Sequence, residues 1–385
     1  MSPCGLCEES DVEVFHPLFA SKYLDSEDPE ENITLATVFI HGLAGDANTY
    51  FCDAMASAPS NVLVVAPWFG DDQASGADWE EKGDSSTLST YWNTQGWVSG
   101  GDASPSPSRF TTSFDVLDTI IRKLASAKAT GRFPNLERVT VTGFSAGAQL
   151  ASRWSVFSAL GNGGEELEIG VRTVVADGSS YLYFDETRPS STCLDLFDTG
   201  VEHVCDEFSL PEDADTCMGY NSWKFGVNFT DLGSSYMYLD PFAADSTLVD
   251  EAITLYLNNS DNIKFIFGNE DVCNCNTEGY TNTNSEVCYP SGTSCSPNDF
   301  GGELDGIQCC DTYPDTGSSN ALATGCESMM QGTNRLQRGL NYMSYTKAMQ
   351  AKLNLESSFE FGFFDGGHSD QDFFASELFQ KWVYS

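Results

Sequence analysis

Short apolar runs recur along the chain with helical patterns between them. The runs are Thr37 to Ile40, Val62 to Ala66, Val139 to Val141, Thr173 to Ala176, Lys264 to Phe267 and Phe359 to Phe363. Each is rich in β-branched or aromatic residues and shorter than an ordinary helix, so each predicts a strand. Phe114, Leu117, Ile121 and Leu124 fall three or four apart and predict an amphipathic helix between two of the runs. Leu336, Leu340 and Met343 do the same before the last run, and Phe373, Phe374, Leu378 and Trp382 predict a closing C-terminal helix. These stripes read as core packing, not as ligand sites. Strands alternating with helices predict an α/β fold with a mostly parallel sheet, since parallel neighbours need crossover connections.

The run at Val139 leads straight into Gly143-Phe144-Ser145-Ala146-Gly147 and then into the helical pattern Ala148, Gln149, Leu150, Ala151 and Trp154. A serine on a sharp strand-to-helix turn needs small neighbours so that strand and helix can pack closely beneath it, and Gly143 and Gly147 supply that room. Ser145 is therefore a candidate nucleophile, and it needs an imidazole to take its proton. The chain has four histidines. His16 lies in the N-terminal segment and His203 in a cysteine-bearing stretch, and both read as structural or surface residues. His41 opens a glycine turn, His41-Gly42-Leu43-Ala44-Gly45, of the kind that presents backbone N–H groups to an oxyanion. His368, after an apolar strand and the turn Asp365-Gly366-Gly367, is left as the general base. Asp271, just past the strand Ile263 to Phe267, is the chosen carboxylate to orient it; the adjacent Glu270 and Asp177, at the end of an earlier strand, are its rivals.

The order Ser145, Asp271, His368 resembles that of the α/β-hydrolase superfamily from about residue 35 to the C-terminus. Residues Gly143 to Trp154, the segment Gln331-Gly332-Thr333-Asn334-Arg335-Leu336-Gln337-Arg338-Gly339, and Gly367-His368-Ser369-Asp370 are similar to plant, algal and bacterial members related to secreted esterases. The resemblance implies an eight-stranded, mostly parallel sheet flanked by helices, with the site at the C-terminal edge of the strands. It also implies that the backbone N–H groups of Leu43 and Ala146 form the oxyanion hole. The departure from the superfamily pattern is a cysteine-rich stretch directly behind Asp271.

A chain of 385 residues with 41% hydrophobic content is long enough for one α/β-hydrolase domain over residues 1–385 with insertions. Residues 178–250 read as a lid or cap. Their aromatics, among them Tyr181, Tyr183, Phe184, Tyr220 and Trp223, either line an acyl site or form the cap's own core, the second being the plainer reading for most. Trp68, just past a strand, has the better claim to a substrate pocket. Residues 272–330 read as a second, cysteine-rich insertion. Of 13 cysteines, Cys193, Cys205 and Cys217 fall in the first insertion and Cys273, Cys275, Cys288, Cys295, Cys309, Cys310 and Cys326 in the second, where little apolar periodicity is available to hold a shape without disulfides. Zinc knuckles are the competing account, but only Cys4-Gly5-Leu6-Cys7 has the spacing. Asn274, Asn276, Glu278 and Gly279 make only a faint calcium-loop pattern.

Eighteen basic against 57 acidic residues give a net charge of -39, which repels a phosphate backbone and argues against nucleic acid as a partner. No run of about 18 apolar residues appears, so no segment has the composition of a membrane-spanning helix. Disulfides and the sequons at Asn32, Asn228 and Asn258 point to a secreted or lumenal protein. Met1-Ser2-Pro3-Cys4 is not an apolar leader, so either a leader is removed or the location is cytoplasmic. The expectation is a serine hydrolase of carboxylic esters, taking a small-molecule or polymeric ester and needing no cofactor or metal. An amidase or peptidase would use the same residues, and a catalytically silent binding protein is the alternative of a different class.

Overall fold

The computed structural model describes residues 13–70, 87–92, 95–104, 111–193, 205–230, 232–271, 325–332, 334–356 and 359–385, with short strands at 280–284, 287–290, 303–304 and 307–308. Its centre is a seven-stranded sheet of β1 (Leu18–Ala20), β2 (Leu35–Ile40), β3 (Val62–Pro67), β4 (Arg138–Phe144), β5 (Gly170–Ala176), β6 (Ile263–Gly268) and β7 (Glu360–Phe364). The order across the sheet is β7-β6-β5-β4-β2-β3-β1. All neighbours are parallel except β1, which pairs antiparallel with β3. The α/β architecture agrees with the apolar pattern of the sequence. Against the expectation of eight strands, the sheet has seven among the described residues, and β1 is one that the pattern missed because three residues are too short to show a period.

Side chains alternate across each strand, so the sheet buries two separate layers. On one face Val38, Ile40, Val139, Val141, Phe265 and Phe267 meet α2 (Ser113–Ala129), α3 (Ala146–Phe157), α4 (Ser246–Asn258) and α5 (Arg335–Lys352), after α1 (Ala47–Ser57) has crossed the other face. On that other face Phe39, Val64, Phe144, Val174 and Ile266 meet α1, α6 (Asp370–Ala375) and α7 (Glu377–Val383). The predicted stripe of α2 is fully buried, and the helix starts in a capping box in which Thr112 accepts from the Asp115 amide while Asp115 accepts from the Thr112 amide. The single C-terminal helix expected from Phe373 to Trp382 is two helices. Ser376 stands extended between them and its hydroxyl caps the Phe379 amide at 3.1 Å, a competition serine wins easily against helix continuation.

Between Asp177 and α4 the described residues pack down on the molecule. Tyr181 stacks on Tyr342 of α5 at 4.8 Å and Tyr183 meets Tyr345 at 4.4 Å, so these aromatics are core. The Trp223 indole N–H donates to the Ser99 carbonyl at 3.0 Å. Cys193 is bonded to Cys205, and Cys217 to Cys326, so the second bridge joins residues 178–250 to residues 272–330. Cys52 is exposed and unpaired. His203, the Cys4 and Cys7 pair, the Asn274 to Gly279 segment, and Cys273, Cys275, Cys295, Cys309 and Cys310 lie outside the described residues.

Candidate active site

Five chemistry-bearing residues lie at or just past the C-terminal ends of five adjacent parallel strands. His41 follows β2, Ser145 β4 and Asp177 β5, while Asp271 and His368 stand a few residues past β6 and β7. The register pairs Gly143 with Ile40 on one side and Phe144 with Ala176 on the other, which puts the serine turn at the centre of that edge.

Ser145 has φ 57° and ψ −112°, a left-handed conformation that costs a residue with a Cβ about 1–3 kcal/mol. The surroundings hold it there. Its amide donates to the Ala176 carbonyl at 3.0 Å, and its own carbonyl accepts from Gln149 in α3 at 3.2 Å. A Cβ at Gly147 would collide with the Ile40 carbonyl and one at Gly143 with the backbone of Gly147, so strand and helix close up only because both are glycine.

The structure brings Ser145, His368 and Asp271 into one hydrogen-bonded chain. The Ser145 hydroxyl lies 2.9 Å from Nε2 of His368, and Nδ1 of His368 donates to Oδ2 of Asp271 at 2.8 Å. The imidazole side chain is 8% exposed and the carboxylate 1%. Phe144 covers the ring, its centroid 4.8 Å away. Burial, and after it the Arg335 guanidinium, hold the His368 pKa below its ordinary value against the pull of Asp271. Burial works against ionisation of Asp271 as well, but His368 and Arg335 outweigh it and keep that carboxyl below the usual range.

The acid and histidine turns are laced together. Asn269 Nδ2 donates to Asp365 at 2.8 Å, the Gly366 amide to Asn269 Oδ1 at 3.1 Å, and the Glu270 amide to the Gly366 carbonyl at 2.9 Å. Glu270 itself faces solvent. Asp177 does not: it is 1% exposed, with both carboxyl oxygens 3.0 Å from the Gly268 amide, and the ligand atoms of Asp177, Asp271 and His368 lie within 4.8 Å of one another. Burial, reinforced by the Asp271 charge, pushes the Asp177 pKa well up, the opposite direction to that of Asp271.

At the other side of Ser145, Nε2 of His41 accepts the Phe69 amide at 2.9 Å, which leaves the proton on Nδ1 to be donated to the Gly42 carbonyl at 2.6 Å. Burial lowers the His41 pKa to about 4, so the ring stays neutral. Carbonyl and N–H of one planar peptide point opposite ways, so this bond turns the Leu43 N–H away from the ring. The Leu43 side chain is half exposed. Ala146, as the first residue of α3, has no carbonyl a turn behind it for its N–H. Trp68, expected in a substrate pocket, is buried to 7% exposure, and its indole N–H donates to the Gly45 carbonyl at 2.7 Å. In the structure it braces the turn.

Sequence reasoning left the segment Gln331 to Gly339 without a task. In the structure its described residues, 331–332 and 334–339, lie against the acid turn and the Tyr181 backbone. Gln331 exchanges two hydrogen bonds with the Tyr181 backbone, at 2.8 and 2.9 Å. Asn334 caps α5 through the Gln337 amide, the Leu336 amide donates to the Asp271 carbonyl at 3.1 Å, and Arg335 and Arg338 are both buried at the acid turn. The available signal was two arginines three apart at a helix start in a chain with few bases.

No protein-family model matches this chain, and no curated protein does. Among solved structures it is similar to a poly(aspartic acid) hydrolase from a Sphingomonas species, at 15% identity and TM-score 0.51 over 97% of this chain and all of that one. A poly(3-hydroxybutyrate) depolymerase from Bordetella parapertussis aligns at 14% identity and TM-score 0.49, over 96% and 89% of the two chains. A siderophore hydrolase from Aspergillus nidulans aligns at 12% and 0.36, over 95% and 88%. At these identities the likeness speaks for the fold. Taken with the sheet order, it makes this the α/β-hydrolase fold.

Proposed function

We propose that the protein is a serine hydrolase that cleaves carboxylic esters through an acyl-enzyme. The observation that carries this reading is the chain of two hydrogen bonds from Ser145 through His368 to Asp271, on a strained strand-to-helix turn. In the first step the Ser145 oxygen attacks the ester carbonyl while its proton passes to Nε2 of His368; the imidazolium is stabilised by Asp271 at Nδ1. The negative charge on the former carbonyl oxygen is held by the N–H groups of Leu43 and Ala146, the first aimed by His41 and the turn steadied by Trp68. His368 then gives its proton to the leaving alkoxide. Water, deprotonated by the same nitrogen, attacks the acyl carbonyl and frees Ser145. The segment 178–250 serves as the cap, a role supported by its start at the acid turn, where the Ser179 hydroxyl accepts from Arg335 at 3.0 Å.

Labelling with a fluorophosphonate probe tests this directly. The wild-type chain should label and should turn over aryl and short acyl esters, and Ser145→Ala should do neither while keeping its circular dichroism spectrum. Turnover of anilides and not of esters would make it an amidase. A wild type that neither labels nor turns over either class would leave a silent binding protein.

A further inference from the structure

Arg335 is a basic residue 2% exposed in a chain that is short of bases, and it stands at the first turn of α5 facing the acid turn. Its Nη1 lies 3.5 Å from Oδ1 of Asp271, the oxygen that His368 does not use, and its Nε donates to the Ser179 hydroxyl at 3.0 Å. The next residue, Leu336, donates its amide to the Asp271 carbonyl. Arg338 anchors the same turn of helix, with Nη1 on the Ser179 carbonyl at 2.7 Å and Nε on the Gly332 carbonyl at 2.8 Å. Gly339 lets α5 approach this closely, because a Cβ there would run into the Phe267 ring of β6. Side chain and main chain of Asp271 are thus both held by one end of α5.

The charges explain why a guanidinium belongs there. Around His368 stand Ser145 and Phe144 from the serine turn, Asp271 past β6, Asp177 past β5, Arg335 from α5 and Asp370 from its own turn. Burial disfavours ionisation of both carboxyls; the Asp271 charge pushes the Asp177 pKa further up, whereas His368 and Arg335 hold that of Asp271 down. Asp271 is thus the carboxylate offset by the two buried cations of α5, Arg335 and Arg338, and Arg335 is the one hydrogen-bonded to it. The same cation repels a proton arriving at His368.

We propose that Arg335 is a positioning residue of the triad, which fixes Asp271 for His368 and sets a positive charge against that pair. The proposal rests on the hydrolase reading and deepens it. A general base acts only when unprotonated, so activity rises with pH through the His368 pKa; the nearby cation lowers that pKa and moves the rise to lower pH. Taking the cation away moves the rise back up.

The experiment is the pH dependence of kcat/KM for the full chain with an aryl ester, in wild type, Arg335→Met and Arg335→Lys. In Arg335→Met the ratio of kcat/KM at pH 5 to that at pH 8 should fall about tenfold below the wild-type ratio, the size expected when a charge a few ångströms from a titrating group is removed. Arg335→Lys keeps the charge and loses the planar fork, so it should keep the wild-type ratio while kcat falls about tenfold with KM little changed. A wild-type ratio in Arg335→Met overturns the proposal, and so does a wild-type kcat in Arg335→Lys, which decides the matter even if the methionine variant does not fold. NMR titration of the His368 ring, assigned by loss of its signal in His368→Gln, separates the two readings. An inactive, unlabelled wild type whose His368 titration still moves upward in Arg335→Met would sink the hydrolase and keep the charge relation. An active enzyme whose titration and ratio both stay put would keep the hydrolase and sink this proposal.

Discussion

Asp177 and Asp271 are the same residue type, buried to the same degree, a few ångströms apart, and their surroundings move their pKa values in opposite directions. Asp271 has an imidazole on one oxygen and a guanidinium on the other; Asp177 has the Gly268 amide and, as a weaker influence, the Arg335 charge to set against burial and the repulsion of its neighbour. This ranks two variants that look alike on paper. Asp271→Asn removes the charge that orients and stabilises the imidazolium, so kcat should fall by about 10³ to 10⁴. Asp177→Asn puts a neutral amide of the same shape in place of a carboxyl with a raised pKa, and its oxygen still accepts the Gly268 amide, so kcat should stay within about threefold of wild type. The measurement is steady-state ester hydrolysis near pH 7.5. A larger loss in Asp177→Asn than in Asp271→Asn would move the orienting acid to β5.

At the scale of elements, much of this fold was readable because a parallel sheet buries both faces of its strands and so writes them as continuous apolar runs. The six predicted runs lie in β2 to β7, and the α2 stripe appears with its capping box. What the sequence withheld were features decided by one or two tertiary contacts. β1 exists only as a three-residue partner of β3, and the break at Ser376 depends on a single hydroxyl. At the site, residues that follow strand ends were readable as candidates, but the pairing of Arg335 with Asp271 joins positions 64 apart and carries no local pattern. The disulfide partners were equally hidden. Cys326 pairs with Cys217, 109 residues away, and stands close before the segment that holds Asp271. A cross-link of that span contributes about 2 to 4 kcal/mol by restricting the unfolded chain. Cys217→Ser with Cys326→Ser should therefore lower the stability by that amount in a denaturant titration, and kcat should drop before the fold is lost because the Arg335 end of α5 is loosened. Unchanged stability in the double variant under oxidising conditions would mean that the bridge constrains nothing.

Over the whole molecule the dominant fact is a net charge of -39. Among the described residues the exposed ion pairs are few: Lys22 with Glu30, Arg122 with Glu165, Lys123 with Asp25, Lys264 with Glu360 and Lys352 with Asp185. Each such pair is worth about 0 to 1 kcal/mol, so together they do not offset the mutual repulsion of so many unmatched carboxylates. The repulsion leaves its mark on individual groups. Burial raises the pKa of Asp46 and Asp53, and the charge of Asp370 raises both further. Added salt screens attraction and repulsion alike, cutting the range of exposed charges from about 10 Å at 0.1 M to about 3 Å at 1 M. Where repulsion is the larger sum, screening must stabilise. The Tm at pH 7.5 should therefore climb by several degrees as sodium chloride rises from 10 mM to 1 M, with most of the gain below about 0.3 M, where the screening length shortens fastest. Chloride is the salt to use, since sulfate would raise the Tm of almost any protein by exclusion from its surface. A Tm that stays flat or falls across that range would show that the carboxylates are spaced or paired well enough not to strain the fold.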